Sequence, residues 1–511
     1  MRRFLLGLLA APCAVAGQGG SALRVAATAI TPKDIQRRIA IIADDSMMGR
    51  DTPSPGLELT ARYVAEEFRK AGLRPAGDRG SYLERYTIAQ RRIVPGASWL
   101  TWESRGLRTQ TRLDRDARLA MGGVPRLERR AAAVLLGGAY RPDDVAQVPA
   151  RGRAVVLVMD YRKPITPDLQ QVLQRLMDQG PAGIVLLSNR DSATFQQRVA
   201  RQAVLRLTIG NESDSGIPVV EVRGRALEKV LGAAGVNPDL IREAPAPVIR
   251  DLPDLVIGFD LQDLVMDSAS APNTVGLLPG SDPVLSREYL VYSAHMDHLG
   301  TTGGGACPAR GADTICNGAD DDASGTVSVI ELARAFARLP RAPKRSILFL
   351  TVSGEEKGLW GSQYFTAHPP VPMSSIVADL NIDMVGRNWK DSIVAIGKEQ
   401  SDLGETLDAV ARRHPELHMR PIDDLWPGEN FYFRSDHFNF ARRGVPILFF
   451  FNGTHPDYHQ ATDSPDKIDA EKQSRIVRLL FYLGNEIANR PARPRWNPGS
   501  YARIAGFGPV E

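Results

Sequence analysis

Residues 316–326 read CNGADDDASGT, three consecutive aspartates in a setting of small residues just ahead of an apolar stretch. Like charges at this spacing repel and raise one another's pKa unless a cation stands between them. Taken alone, the run reads as a solvated acidic loop. It is not alone, because chemistry-bearing residues recur wherever an apolar segment stops. EYLVYSA runs into His295 within AHMDHLG, and SILFLTVSG runs into Glu355 and Glu356. SIVADLNI ends in Asp383, and VPILFFFNG leads into THPDYHQATD with His455 and His459. All eight histidines lie at 295 or later: 295, 298, 368, 414, 418, 437, 455 and 459.

Each of these residues has an ordinary reading when considered singly. A histidine after a strand is commonly a loop or capping residue, paired glutamates at a helix start suit the helix dipole, and Asp383 could cap a helix. The coincidence is what overturns those readings. Two imidazoles and several carboxylates converging on one sheet edge are electrostatically untenable without cations. With a pair of divalent ions they become ligands, and one carboxylate can bridge two metals about 3.5–4 Å apart. Calcium fits poorly, since the alternating D-x-D-x-D-G spacing is absent and imidazole suits zinc far better. The mixed donor set favours Zn²⁺, with Co²⁺ or Mn²⁺ as substitutes.

Elements must bring these residues together. From about 255, apolar strands alternate with helices such as ASGTVSVIELARAFARL, which implies a largely parallel sheet covered on both faces. Ligands of such sheets bind at the carboxyl ends of the strands, where the residues above fall. Upstream, TPKDIQRRIAIIADD starts a helix at a Thr-Pro signal. GLELTARYVAEEFRKAGLRPAG carries Leu59, Tyr63, Val64, Phe68 and Ala71 at helical spacing before Gly72 stops it. Between about 110 and 250 the texture changes. Short apolar runs (AAAVLLGG, RAVVLVMDY, AGIVLLSN, GIPVVEVRG) alternate with loops and one clear helix, TPDLQQVLQRLMDQG. That pattern predicts a smaller mixed α/β module with its own core, and it holds no histidine.

The blocks SAHMDHLG, NGADDDASGT, SGEEKGLWGS, NIDMVG and YHQATDSPDKID resemble, in order, the five motifs of the co-catalytic zinc aminopeptidases, metallopeptidase family 28. DSMMGRDTPSPGLELTARYVAEEFRKAGLRPAG is similar to the N-terminal segment of the same catalytic domain, and the central module resembles the protease-associated domain often inserted in it. The resemblance implies an α/β/α sandwich with a mostly parallel mixed sheet. It implies catalytic-domain parts at 28–110 and 255–492, the protease-associated insert at 111–254 and a tail at 493–511, behind a signal peptide at 1–16 that the N-terminal residues themselves suggest. It makes His295 and Asp383 ligands of one zinc, Glu356 and His459 ligands of the other, and Asp321 the bridge between two Zn²⁺. Glu355 would be the general base, Asp297 the carboxylate that orients His295, and Tyr458 a partner of the developing oxyanion. Asp320 and Asp322 would shape the turn, with a cis peptide at Asp321–Asp322. The family's Asp-Asn after this turn is Asp-Asp here. RSDHFNF resembles a motif near the substrate site and puts His437 in question as a contact. The implied activity is hydrolysis of N-terminal residues from peptides or small proteins with a free N-terminus, by a water that two zinc ions activate. A carboxypeptidase or a glutaminyl-cyclase-like enzyme on the same scaffold is the alternative. A non-catalytic receptor-like ectodomain should have lost ligands, and all five are present.

The bulk properties agree with this class and exclude others. The chain of 511 residues is 43% hydrophobic and 24% charged, which is globular and too long for one ordinary domain. Its formal charge of +4 includes Arg2 and Arg3, and the basic residues are scattered rather than striped, so neither nucleic acid nor an anionic membrane is implied. MRRFLLGLLAAPCAVAGQGG has a basic start, a short apolar run and Ala14-Val15-Ala16 before Gly17. That is the pattern of a signal peptide cleaved near Ala16–Gly17, predicting a periplasmic or secreted protein without stable membrane insertion. Lipidation at Cys13 is disfavoured by Pro12 directly before it. In an oxidising compartment, Cys307 and Cys316 are expected to form one short disulfide.

Overall fold

The computed structural model describes residues 15–121, 126–163, 168–201, 206–209, 217–304, 306–308 and 310–505. Residues 1–14 of the expected leader lie outside them. The chain divides into two compact units, one from the described residues up to 86 together with 271–505, the other from 87–270.

The first unit opens with three helices, α1 (Val15–Thr28), α2 (Pro32–Ile42) and α3 (Pro55–Lys70). Local chemistry sets the starts of α2 and α3. Thr31 and Ser54 accept the backbone N–H groups of Asp34 and Leu57, and a proline occupies the first turn of each helix. There follow β1 (Tyr289–His295), α4 (Gly325–Ala337), β2 (Ser346–Val352), β3 (Ile376–Ile382), β4 (Ser392–Ile396), β5 (Ile447–Phe450) and α5 (Ala470–Asn489). Residues 274–278, β2, β1, β3, β5, β4 and Arg420–Ile422 lie side by side in that order. β2, β1, β3 and β5 run parallel, residues 274–278 are antiparallel to β2, and β4 is antiparallel to β5.

Every residue of β2, β3 and β5 is buried, as expected of strands covered on both faces. Alternate side chains go to opposite layers. Leu290, Tyr292, Ile347, Phe349, Leu380 and Ile382 pack with residues of α2, α4 and α5 such as Ile39, Val327, Phe336 and Leu480. Val291, Leu348, Leu350 and Val352 meet Phe365, Met384 and Phe440 on the other side. The result is the expected α/β/α layering with a mostly parallel mixed sheet. α4 is buried almost all round, and its one acidic residue, Glu331, pairs with Arg38 and Arg334 while Arg38 also reaches Glu67. Leu59, expected on the apolar face of α3, is 45% exposed, whereas Leu57, Val64 and Phe68 are fully buried.

In the second unit, residues 133–136, Ala154–Val158, Gly183–Ser188 and Val219–Arg223 form a parallel set. Ala117–Met121 adds antiparallel to Val219–Arg223, and residues 247–262 lie antiparallel on Arg126–Gly138. Separate apolar cores cover its faces, one centred on Trp102, Leu135 and Phe259, the other on Val134, Val155 and Leu176.

Candidate metal centre

β1, β2 and β3 are in parallel register, with His295 opposite Val352 and Ser293 opposite Asn381, so their carboxyl ends finish at one level. His295 closes β1, Glu355 and Glu356 follow β2 by three and four residues, and Asp383 directly follows β3. The turn carrying Asp320, Asp321 and Asp322 feeds α4 at the same edge. Its backbone approach depends on small residues. Gly318 has φ +54°, and a Cβ there would lie 2.1 Å from the Asp321 carbonyl oxygen. The Asp321–Asp322 peptide is cis.

Asp321 stands at the centre. Its Oδ1 lies 3.2 Å from His295 Nε2, and its Oδ2 lies 3.2 Å from His459 Nε2 and 3.7 Å from His298 Nδ1. Asp383 Oδ1 is 3.6 Å from His295 Nε2. On the other flank, Glu356 presents Oε1 2.9 Å from His298 Nδ1 and Oε2 3.3 Å from His459 Nε2. Two overlapping groups with metal-ligating spacing result, His295–Asp321–Asp383 and His298–Asp321–Glu356. Donors about 2.0–2.2 Å from a tetrahedral zinc are themselves separated by about 3.3 Å, and these separations cluster round that value. Asp383 Oδ1 is buried without a hydrogen-bond partner, so one ligand-type oxygen already points into the space the donors enclose. Imidazole nitrogens and carboxylate oxygens are a zinc donor set, and the residues present fit that ion.

Electrostatics follow from this crowding. Burial opposes charge on His295, but Asp383, with Asp297 and Asp321 alongside, raises it well above the ordinary imidazole range. Burial also acts to raise Asp321, yet His298, His295 and His459 hold it well below the usual carboxylate range. Glu355 has no such partner. Burial, with Glu356, Asp436 and Asp383 nearby, lifts it well above the ordinary glutamate value, although His295 pulls the other way.

The other expected residues fall around this core. Asp297 offers its carbonyl oxygen 3.2 Å and its carboxylate 3.5 Å from His295 Nδ1. The same carboxylate accepts the Glu355 N–H and the Thr52 hydroxyl. Asp322 accepts the N–H groups of Gly325, His295 and Met384, tying the turn to both neighbouring strands. Asp320 accepts Gly386 N–H and stands 3.3 Å from His455 Nε2. The triplet is thus divided between one carboxylate at the centre and two that brace the backbone. Tyr458 stacks on His459 with ring centroids 3.8 Å apart. A cavity beside the cluster is lined by His295, Asp321, Glu355, Asp383, Tyr458 and His459 from the polar side. Met384, Phe431, Phe449, Phe451, Ser435 and Arg434 line the rest. His437 is not among them. It is fully buried, donates to the Tyr432 carbonyl, and stacks on Phe449, where burial lowers it to about 3.

Several participants lie within the blocks that carry the resemblance, yet nothing in the sequence marked them for a role. Asp463 accepts the N–H groups of Asp320 and Asp321. Ser435 donates to Asp383 Oδ2 at 3.1 Å. Arg50, fully buried, donates to the carbonyls of Ile42, Met296, Asn317 and Gly318 and so clasps the segments bearing His295 and Asp321. His298 shares a quoted block with His295, but nothing in its spacing distinguished it. Cys307 and Cys316 form the expected disulfide a few residues ahead of the turn.

Residues 273–484 match the sequence model of peptidase family M28. Leupeptin-inactivating enzyme 1 of Streptomyces exfoliatus is 26% identical over 208 residues, covering 40% of this chain and 41% of that protein. A probable zinc metalloprotease of Pyrenophora tritici-repentis is 43% identical over 219 residues, covering 35% and 45% respectively. The chain spans about half the length of the curated relatives it matches. Among solved structures, the aminopeptidase from Aneurinibacillus sp. strain AM-1 is 18% identical, with 92% of this chain and 97% of that chain covered at a TM-score of 0.47.

Proposed function

On the premise that residues 273–484 make this chain a member of peptidase family M28, we propose that it is an exported metallo-aminopeptidase working with two zinc ions. The observation that carries the reading is Asp321, whose two carboxylate oxygens face two different imidazole–carboxylate groups. One zinc would be held by His295, Asp383 and Asp321, the other by Asp321, Glu356 and His459. When bound, such ions acidify a water and polarise the scissile carbonyl.

The chain's own residues supply the rest. Glu355 lines the cavity without holding an imidazole, so it is free to take the proton of the attacking water and deliver it to the leaving amine. Asp297 fixes the His295 ring by engaging Nδ1, which leaves Nε2 for the metal. Tyr458 borders the place where negative charge develops on the carbonyl oxygen. The substrate's first side chain would enter between Phe431, Phe449 and Phe451. The leader reading supplies the export, and among the described residues no helix is long and apolar enough to cross a membrane. The protease-associated reading of residues 111–254 rests on their parallel strands and on the apolar core around Val134, Val155 and Leu176 that lies within them.

The test uses the two adjacent glutamates, on zinc content and turnover of amino-acid p-nitroanilides. Glu355→Gln should keep both metals and lose about 10²–10⁴-fold in kcat, the weight of general acid–base catalysis, with little change in KM. Glu356→Gln should lose metal and regain activity in part with added zinc. Metal loss in Glu355→Gln, or near-normal kcat, would sink the assignment. A carboxypeptidase or dipeptidase reading has one observation behind it: among the described residues that line the cavity, Arg434 brings a guanidinium, where a substrate carboxylate could seat. Cleavage of a free dipeptide in preference to its amide would favour that reading.

A further inference from the structure

We propose that His298 is a ligand of the second metal ion, which is then held by His298, Asp321 and Glu356 on its buried side and by His459 on its loop side. The proposal rests on the two-metal reading above. His298 Nδ1 stands 2.9 Å from Glu356 and 3.7 Å from Asp321, and His459 Nε2 stands 3.3 Å and 3.2 Å from the same two carboxylates. Both imidazoles therefore address one pair of carboxylates at the spacing that a zinc's own ligands keep, about 3.3 Å. The rings meet edge to face, 5.8 Å apart and inclined by 69°, so neither blocks the other's approach.

The surroundings of His298 favour a ligand over an ordinary core histidine. Its side chain is fully buried, its Nε2 finds no hydrogen-bond partner, and its other nitrogen meets only the two carboxylates of the site. What decides is Nδ1, which is buried and aimed at two carboxylates whose mutual repulsion a shared cation would relieve. The chain also makes room for it. Gly318 lies against the ring, where a Cβ would come within 2.5 Å of His298 Cγ. The His298 backbone N–H is anchored on the Arg50 carbonyl. The donor thus comes from backbone continuous with β1, whereas His459 is 35% exposed in its side chain and sits on a loop. With both imidazoles, the second ion has four protein donors instead of three.

The alternative is that His298 only donates a hydrogen bond to Glu356 and positions it. Zinc-loaded wild type, His298→Ala, His298→Gln and His459→Ala would be dialysed against a series of buffered free-zinc concentrations and their zinc measured by elemental analysis. The cobalt-substituted forms would be compared by visible absorption. Losing an outer hydrogen-bond partner costs about 10–100-fold in metal affinity. As a ligand, His298 requires a loss greater than about 100-fold at one site in both His298 variants, with a changed cobalt spectrum. The glutamine amide can replace a hydrogen bond but not the imidazole. Wild-type affinity and an unchanged cobalt spectrum in His298→Gln would overturn the proposal, and this variant decides the matter even if His298→Ala fails to fold. Wild-type protein that holds fewer than two zinc ions would instead overturn the two-metal reading, and this proposal with it.

Discussion

Glu84 offers a titration that the cluster at the sheet edge does not complicate. It lies at the start of strand Leu83–Ile93, 5% exposed, and accepts Asn273 Nδ2 at 2.8 Å. Asn273 is itself fully engaged, donating to the Gly361 carbonyl and accepting the Ser353 N–H. Burial raises Glu84 from 4.5 to about 8, with Asp78 adding to the rise and the Asn273 bond opposing it. The folded protein therefore binds this proton more tightly than the unfolded chain does. The contribution to stability is complete below the unfolded value of 4.5 and is lost as pH rises through about 8. Integrating between those values gives a loss of about 1 kcal/mol by pH 5, about 3 by pH 7 and about 4–5 by pH 9. Glu84→Gln keeps the shape and an acceptor oxygen for Asn273 but cannot ionise. Urea unfolding of both proteins at pH 5, 7 and 9 should show the variant more stable by about 1 kcal/mol at pH 5, about 3 at pH 7 and about 4–5 at pH 9. Titrations common to both proteins cancel in that difference. A difference that does not change with pH would refute the reasoning, because it would mean that Glu84 is solvated or paired when charged.

Three further outcomes follow from the fold. Arg50→Met retains most of the buried volume but removes the guanidinium donor from four carbonyl oxygens, of which Gly318 keeps the Ala323 N–H, and unfolding free energy should fall by about 3–5 kcal/mol in urea titration. Gly318→Ala places a methyl carbon against the Asp321 carbonyl and the His298 ring at a positive φ, so it should cost more than about 2 kcal/mol and lower the zinc content found by elemental analysis. Alkylation of the unreduced protein, followed by peptide mass spectrometry, should label neither Cys307 nor Cys316, and both only after reduction.

The layered fold was legible because strands buried on both faces are written as unbroken apolar runs. SILFLTV could be read without knowing what covers it, as could IVADLNI despite Asp379 and Asn381 within it, and the helical spacing of Tyr63, Val64 and Phe68 needed no tertiary information. Division of the chain is a different problem. The change of texture in the sequence falls near 111 and 254, while the compact units divide at 86 and 270. The strand Trp99–Ser104 shows why. Its alternating WLTWES pattern would suit either unit, and only the packing of Leu100 and Trp102 beside Leu135 and Phe259 assigns it. Leu59 shows the same limit on a smaller scale, since spacing placed it on the apolar face of α3 but could not see that it stays 45% exposed there.

The site was legible where topology alone delivers a residue and illegible where a contact must be formed across the chain. A residue at the end of a parallel strand reaches the sheet's edge whatever its neighbours do, which is why His295, Asp383 and the Glu355–Glu356 pair could be picked out. Arg50, Asp463 and Ser435 lie in stretches that resemble family blocks, but nothing local gave them a role, and they reach the site from 246, 142 and 52 residues away from the groups they hold. The three aspartates illustrate the boundary between the two cases. Their identities and spacing are the same, so nothing local separates them, yet the turn aims Asp321 at imidazoles and Asp322 at three backbone N–H groups. A carboxylate satisfied by N–H donors has little capacity left for a metal, while one facing only imidazole nitrogens is complete only with a cation between them. By the same reasoning our proposal groups His298, whose Nδ1 faces two carboxylates, with Asp321 rather than with the bracing residues.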